Sequence, residues 1–148
     1  MNSATSEFGD CRLMLYYKGD ISALTLFAQH GSGSVCFPGP LPLLSSALDA
    51  EQAQAQKIAR HPALLVKTIS EQMALPADLL QIESGFRELV DAPGGVITVY
   101  LARFDRLDPP HALMKTKDCM LKPLPALRSR PPAELELLRR AYVKVMEG

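Results

Sequence analysis

Residues 67–75 read KTISEQMAL, and the reading of this stretch decides the fold. Its rhythm is that of an amphipathic helix. Leu65, Ile69 and Met73 recur every four residues and form one apolar stripe. Thr68, Glu71 and Gln72 have the i, i+3, i+4 spacing that places side chains on one helix face, turned away from that stripe. Three carboxylates so placed would bind a hard divalent cation such as magnesium, which prefers oxygen ligands. Here one of the three is a carboxylate, one a hydroxyl and one an amide.

Working outward, ALLVKTISEQMAL (63–75) is a helical run stopped by Pro76. Before it, DAEQAQAQKIAR (49–60) is rich in helix formers, with Ser46 and Asp49 spaced as a capping box at its start. Further upstream, CRLMLYY (11–17), the turn KGD (18–20) and ISALTLFAQ (21–29) read as a hairpin. HGSGS (30–34) is a glycine-rich loop, and VCF (35–37) a short strand ended by PGPLP. After the helix, LLQIESGFREL (79–89) reads as an extended segment with a kink or bulge at Gly85, and DAPGG (91–95) as a turn. VITVYLARF (96–104) is the clearest strand, with Tyr100 and Phe104 on one packing face. Residues 105–131 are irregular and hold five of the twelve prolines. PAELELLRRAYVKVME (132–147) is a helix with proline in its first turn, acids early and bases later. This order predicts an α/β fold around a mixed, largely antiparallel sheet.

The central stretch resembles the signature helix of the Nudix hydrolases. The last nine signature positions are R-E-U-x-E-E-x-G-U, with U a bulky aliphatic residue, and they fall on Lys67 to Leu75. Ile69, Leu75 and Glu71 keep the pattern. Lys67, Thr68, Gln72 and Ala74 replace its arginine, two glutamates and glycine, and Ala59 and Ala53 occupy the upstream glutamate and glycine positions. The order of elements over roughly residues 11–147, including the Pro-Gly segment after VCF, is similar to the family's. The resemblance implies a Nudix-like α/β/α sandwich over 11–148, preceded by a loose tail over 1–10. It implies diphosphate cleavage with magnesium or manganese in ordinary members. The departures at Thr68 and Gln72 leave Glu71 as the one remnant metal ligand, too little charge for a cation that must also face a diphosphate.

The expected function is therefore a Nudix-like domain that has lost metal-dependent hydrolysis, needs no cofactor, and binds a ligand or a protein. The alternative is a divergent hydrolase of a nucleoside-diphosphate-linked substrate that uses Mg or Mn with acids from elsewhere, such as Glu51, Glu83 or Glu88. A third reading is an unrelated small α/β protein. Candidate ligand contacts are Arg87 and Glu88 in the F-R-E run, Lys67, and Lys115 and Lys117 (with Lys122) in the 105–131 loop. The loops 30–45 and 105–131 are the expected walls of any pocket. The plainer readings stand beside these: Glu71 as a solvated acid paired with Lys67, Arg87 and Glu88 in surface ion pairs, and the lysines as solvated charges. His30, His61 and His111 read as loop or surface residues, and Cys36 as a small core residue.

Composition narrows the partners. Sixteen basic residues balance sixteen acidic ones, which gives no general case for nucleic acid or an anionic membrane. The charge is uneven: residues 1–100 hold six Lys/Arg and ten Asp/Glu, residues 101–148 ten and six, so a phosphorylated, nucleotide-like molecule would favour the second part. Three widely spaced cysteines without C-x-x-C argue against a disulfide framework or a zinc site and suggest a reducing, cytoplasmic setting. The start has no signal-peptide pattern, and no apolar run approaches the roughly 20 residues that span a bilayer. A homodimer through 79–104 is a further expectation. No Gly-rich phosphate loop in its strand–helix context and no G-x-S-x-G occurs.

Overall fold

A computed structural model of the chain describes residues 11–54 and 62–147. The expected tail (1–10), His61, and the second half of the expected 49–60 helix lie outside the described residues. The strands are β1 (Cys11–Lys18), β2 (Thr25–His30), β3 (Ser46–Ala47), β4 (Leu80–Ala92), β5 (Gly95–Phe104) and β6 (Cys119–Lys122). The helices are α1 (Ala50–Gln54), α2 (Pro62–Gln72), α3 (His111–Lys115) and α4 (Pro132–Glu147), with a 3-10 turn at Leu124–Leu127.

The six strands form one sheet in the order β3-β4-β5-β1-β2-β6. β1 and β5 run parallel at its centre, and every other pairing is antiparallel. The sheet is thus mixed and largely antiparallel, as its tight turns require. Alternation along the strands divides the core in two. Leu13, Leu15, Tyr100, Ala102 and Phe104 pack with Leu65 and Ile69 of α2 and Met114 of α3 on one face. Met14, Tyr16, Val99 and Leu101 pack with Leu137, Leu138 and Ala141 of α4 on the other. The apolar stripe of α2 is the one expected: Leu65 and Ile69 are buried and Met73 packs against them.

Several expectations hold residue by residue. The β4–β5 hairpin turns at Pro93–Gly94, and its register slips between Ile82 and Arg87, where Gly85 adopts φ +88°. Glycine is the residue that tolerates this bulge. α4 starts at Pro132 and ends at Glu147, as read.

Others are corrected. VCF contributes a single bridge, Leu13 to Phe37, and no strand. Pro38 follows by a cis peptide, and proline offers no N–H to extend a ladder. The helix cap lies at Asp49, not Ser46: Asp49 Oδ1 accepts from Gln52 N–H (2.8 Å) and Gln52 Oε1 accepts from Asp49 N–H (3.0 Å), a reciprocal box, while Ser46 pairs with Asp91 in β3–β4. β2 begins at Thr25 because residues 19–24 form the turn, closed by Gly19 N–H to Leu24 O at 2.9 Å, with Ile21 fully exposed. The stretch 105–131 is not wholly irregular; it supplies α3, the 3-10 turn and the edge strand β6, which pairs with β2 from Phe27–Lys122 to His30–Cys119.

Candidate functional site

α2 ends in a tight reversal. Leu75 N–H donates to Ser70 O (2.8 Å) and Ala74 N–H to Glu71 O (3.2 Å), with Ala74 left-handed at φ 55°. These are the two bonds of a Schellman motif, and Leu75 is buried beside it. The reversal sets the last turn of α2 against a cleft of about 600 Å³. Phe37, Pro38, Ile69 and Met73 are its apolar lining, and Gln72 and Lys117 enter from opposite elements. A second hollow of about 740 Å³ adjoins it, sharing His30 and Asp118. All four residues of β6 line that hollow, together with His111 and Lys115 of α3. The two loops that the sequence pointed to therefore supply much of the walls, and the end of α2 supplies the rest of the cleft's lining.

The shared wall is built locally. Ser32 N–H donates to His30 Nδ1 (3.1 Å), and the Ser32 hydroxyl lies 3.0 Å from the same nitrogen. A neutral His30 then carries its proton on Nε2, which is 3.9 Å from Asp118 Oδ2. Asp118 sits at φ 58°, a left-handed position that Asp tolerates better than most residues. Its carbonyl accepts from Gly31 N–H (2.7 Å), and a Cβ on Gly31 would come within 2.3 Å of its carboxylate. Behind this wall, buried Glu134 accepts from Arg130 Nε (2.8 Å), the Ser34 hydroxyl (3.1 Å) and Val35 N–H (3.4 Å). That network ties the 30–37 loop to the first turn of α4.

Burial, helped by the Asp118 charge, pushes the Cys119 thiol up to about 11. Burial, then Glu134, pushes Cys36 higher still. Both are protonated at neutral pH, which argues against a thiolate nucleophile here.

The residues named from sequence are divided among several places. Gln72 and Lys117 both line the cleft, and Lys115 and Lys122 line the adjoining hollow. Lys67 and Glu71 are exposed on α2, Thr68 is half-buried, and none of them lines either cavity. Among the described residues Lys67 and Glu71 form no ion pair within 4.0 Å, unlike the pairing expected. Arg87, opposite Tyr100 in register, is half-buried on the α2 side of the sheet. Glu88 lies on the other face, where Arg140 Nη1 donates to it at 2.6 Å. Glu83 accepts from the Tyr16 hydroxyl, and Glu51 is exposed on α1. The acids considered for a divergent hydrolase are thus not gathered around one point.

A magnesium or manganese ion does not fit the donors on α2. Glu71 offers one charge, while Thr68 and Gln72 offer neutral oxygens. Among the described residues no group of three His, Cys, Asp or Glu side chains could hold a metal ion, and no described helix is long and apolar enough to cross a membrane. No protein-family model matches the sequence, and no curated protein matches it.

Sequence reasoning missed His30 and Asp118 as the shared wall. They lie 88 positions apart, and no local pattern joins them. The glycine-rich HGSGS run was the available signal, since Gly31 is where Asp118 closes in.

Proposed function

We propose that this chain is a Nudix-like domain that has lost metal-dependent diphosphate hydrolysis and binds a phosphorylated, nucleotide-like small molecule in the cleft at the end of α2. One observation carries the reading. Of the three positions that align with the signature's glutamates on α2, only Gln72 lines the cleft, and it is an amide. An amide can hydrogen-bond a ligand through both its donor and its acceptor, but it adds no charge to hold a cation.

Two further features support the resemblance. Ala74 occupies the position of the signature's glycine, and that position is left-handed here, where glycine is favoured. Helices cover both faces of a sheet whose central pair is parallel.

The test is a thermal-unfolding screen with nucleosides, nucleoside diphosphates and nucleoside diphosphate conjugates, in EDTA. The reading expects a subset of them to raise the midpoint without metal, and expects Gln72→Ala with Lys117→Ala to abolish the rise. No stabilisation by any nucleotide, or stabilisation untouched by those changes, would remove the cleft from the account.

A further inference from the structure

We propose that the outer face of α4 is a homodimer seam, on which a second copy of this chain packs its own α4 antiparallel. The seam is independent of the cleft and of any ligand held there.

The first observation is a surface helix whose outer face is mostly apolar. One side of α4 is sunk in the core through Leu137, Leu138, Ala141 and Val145. The other side of such a helix ordinarily carries charged and polar residues. Six residues of α4 are exposed, and only Arg139 and Glu147 among them are charged. Tyr142, Val143 and Met146 are 37%, 44% and 40% exposed, and half-buried Leu135 continues their line toward the helix start. Leu135, Arg139, Tyr142 and Met146 are spaced four, three and four residues apart. That alternation keeps side chains on one seam between two packed helices. Beside Leu135 lies a groove of about 420 Å³, formed with the 3-10 turn and lined by Leu124, Pro125, Arg128, Leu135 and Arg139.

The second observation is that this face complements itself. Two copies of α4, antiparallel about a two-fold axis between Arg139 and Tyr142, set Leu135 against the second copy's Met146 and Arg139 against its Tyr142. Apolar groups then meet at both ends. At the centre a guanidinium meets an aromatic ring, which attracts cations through its face. Arg128 stands at one end of the seam and Glu147 at the other, and neither has an ion pair within 4.0 Å among the described residues. The same arrangement brings Glu147 toward the second copy's Arg128, once on each side of the axis. A two-fold contact needs one patch that matches its own image, and this charge placement supplies it. The cleft borders the opposite face of the sheet, through Phe37 and Ile69, so it stays open in the dimer.

A contact one helix long, about 24 Å, belongs at the small end of specific interfaces, near about 1,200 Å² in total. The dimer is therefore expected to form in the micromolar range.

The experiment is sedimentation velocity on the full chain across that range. The native chain is expected to shift from monomer to dimer with concentration. Tyr142→Glu is expected to raise the dissociation constant about tenfold or more, as for a central aromatic anchor, with the circular dichroism spectrum unchanged. Arg128→Glu and Glu147→Arg are each expected to weaken the dimer, and the two together to restore it. Gln81→Arg, exposed on β4 within the 79–104 segment, is expected to change nothing. A native chain that stays monomeric throughout would overturn the seam. So would a dimer untouched by Tyr142→Glu, or one broken by Gln81→Arg, because either places the contact elsewhere. If the paired charge swap fails to recover what each single change lost, the antiparallel pairing is wrong.

Discussion

The amide of Leu75 donates to the carbonyl of Ser70 across 2.8 Å, and the chain reaches that bond only by carrying Ala74 through φ 55°. An L-residue with a Cβ is strained there, and glycine is not. Ala74→Gly is expected to raise stability by about 0.5–1 kcal/mol, the relief of left-handed strain less the greater unfolded-state freedom of glycine. A urea titration reads this as a higher midpoint at unchanged slope. A lower midpoint would mean that the reversal at the end of α2 is not as described.

Glu134 is 2% exposed and accepts from Arg130, Ser34 and Val35. Its removal leaves the half-buried Arg130 guanidinium and two further donors without their acceptor. Glu134→Ala is expected to cost about 3 kcal/mol or more, the usual loss when one partner of a buried pair is deleted. Because this network holds the 30–37 loop, the loss should also appear as faster amide exchange at residues 33–36. Protection unchanged there would separate the network from the cleft wall.

Acid should remove an ion-pair network that lies along α4 itself. Hydrogen bonds from Arg139, then Arg140, pull the Glu136 carboxyl down to about 2 from an ordinary value of 4.5. The folded state therefore favours the ionised form. The resulting stability is fully present above about pH 4.5 and is lost as pH falls toward 2. In Glu136→Gln the loss specific to this window should disappear. The check is the difference in unfolding free energy between the two proteins measured from pH 6 to pH 2, which should shrink as pH falls; a constant difference would contradict the linkage.

Much of this architecture is legible locally. α4 carries proline at its start and a continuous apolar face, so its limits follow from sequence. β5 is rich in β-branched and aromatic residues, and Gly85 announces the bulge in β4. The failures have a common cause. β6 is four residues between Asp118 and Pro123, too short for any periodicity, and it exists because β2 offers an edge nearly a hundred residues away. VCF has the residues of a strand but lacks a donor at Pro38. The cap moved from Ser46 to Asp49 because pairing with Asp91 claimed Ser46 first. In the site, Gln72 and the two lining loops could be named in advance, while Lys67, Thr68 and Glu71 of the same helix line neither cavity. The partition of Lys115 from Lys117, and the pairing of Glu88 with Arg140 on the far face, depend on tertiary contacts that no local window contains.

If α2 has lost a cation site by substitution, restoring charge should restore affinity for the ion. The double change Thr68→Glu and Gln72→Glu sets three carboxylates on one face with Glu71. The variant is expected to gain thermal stability on addition of manganese, and the native chain is not, since an ion bound only by the folded state raises its stability. Equal responses in both proteins would detach the helix from metal binding.

The most direct measurement is turnover. The pure protein is incubated with a panel of nucleoside diphosphate conjugates and dinucleotides in magnesium or manganese, with Glu71→Gln beside it, and the products are quantified. The account predicts no metal-dependent product from the native protein on any substrate that binds it. Metal-dependent turnover that disappears in Glu71→Gln would contradict it, and would make Glu71 a working ligand of a divergent hydrolase.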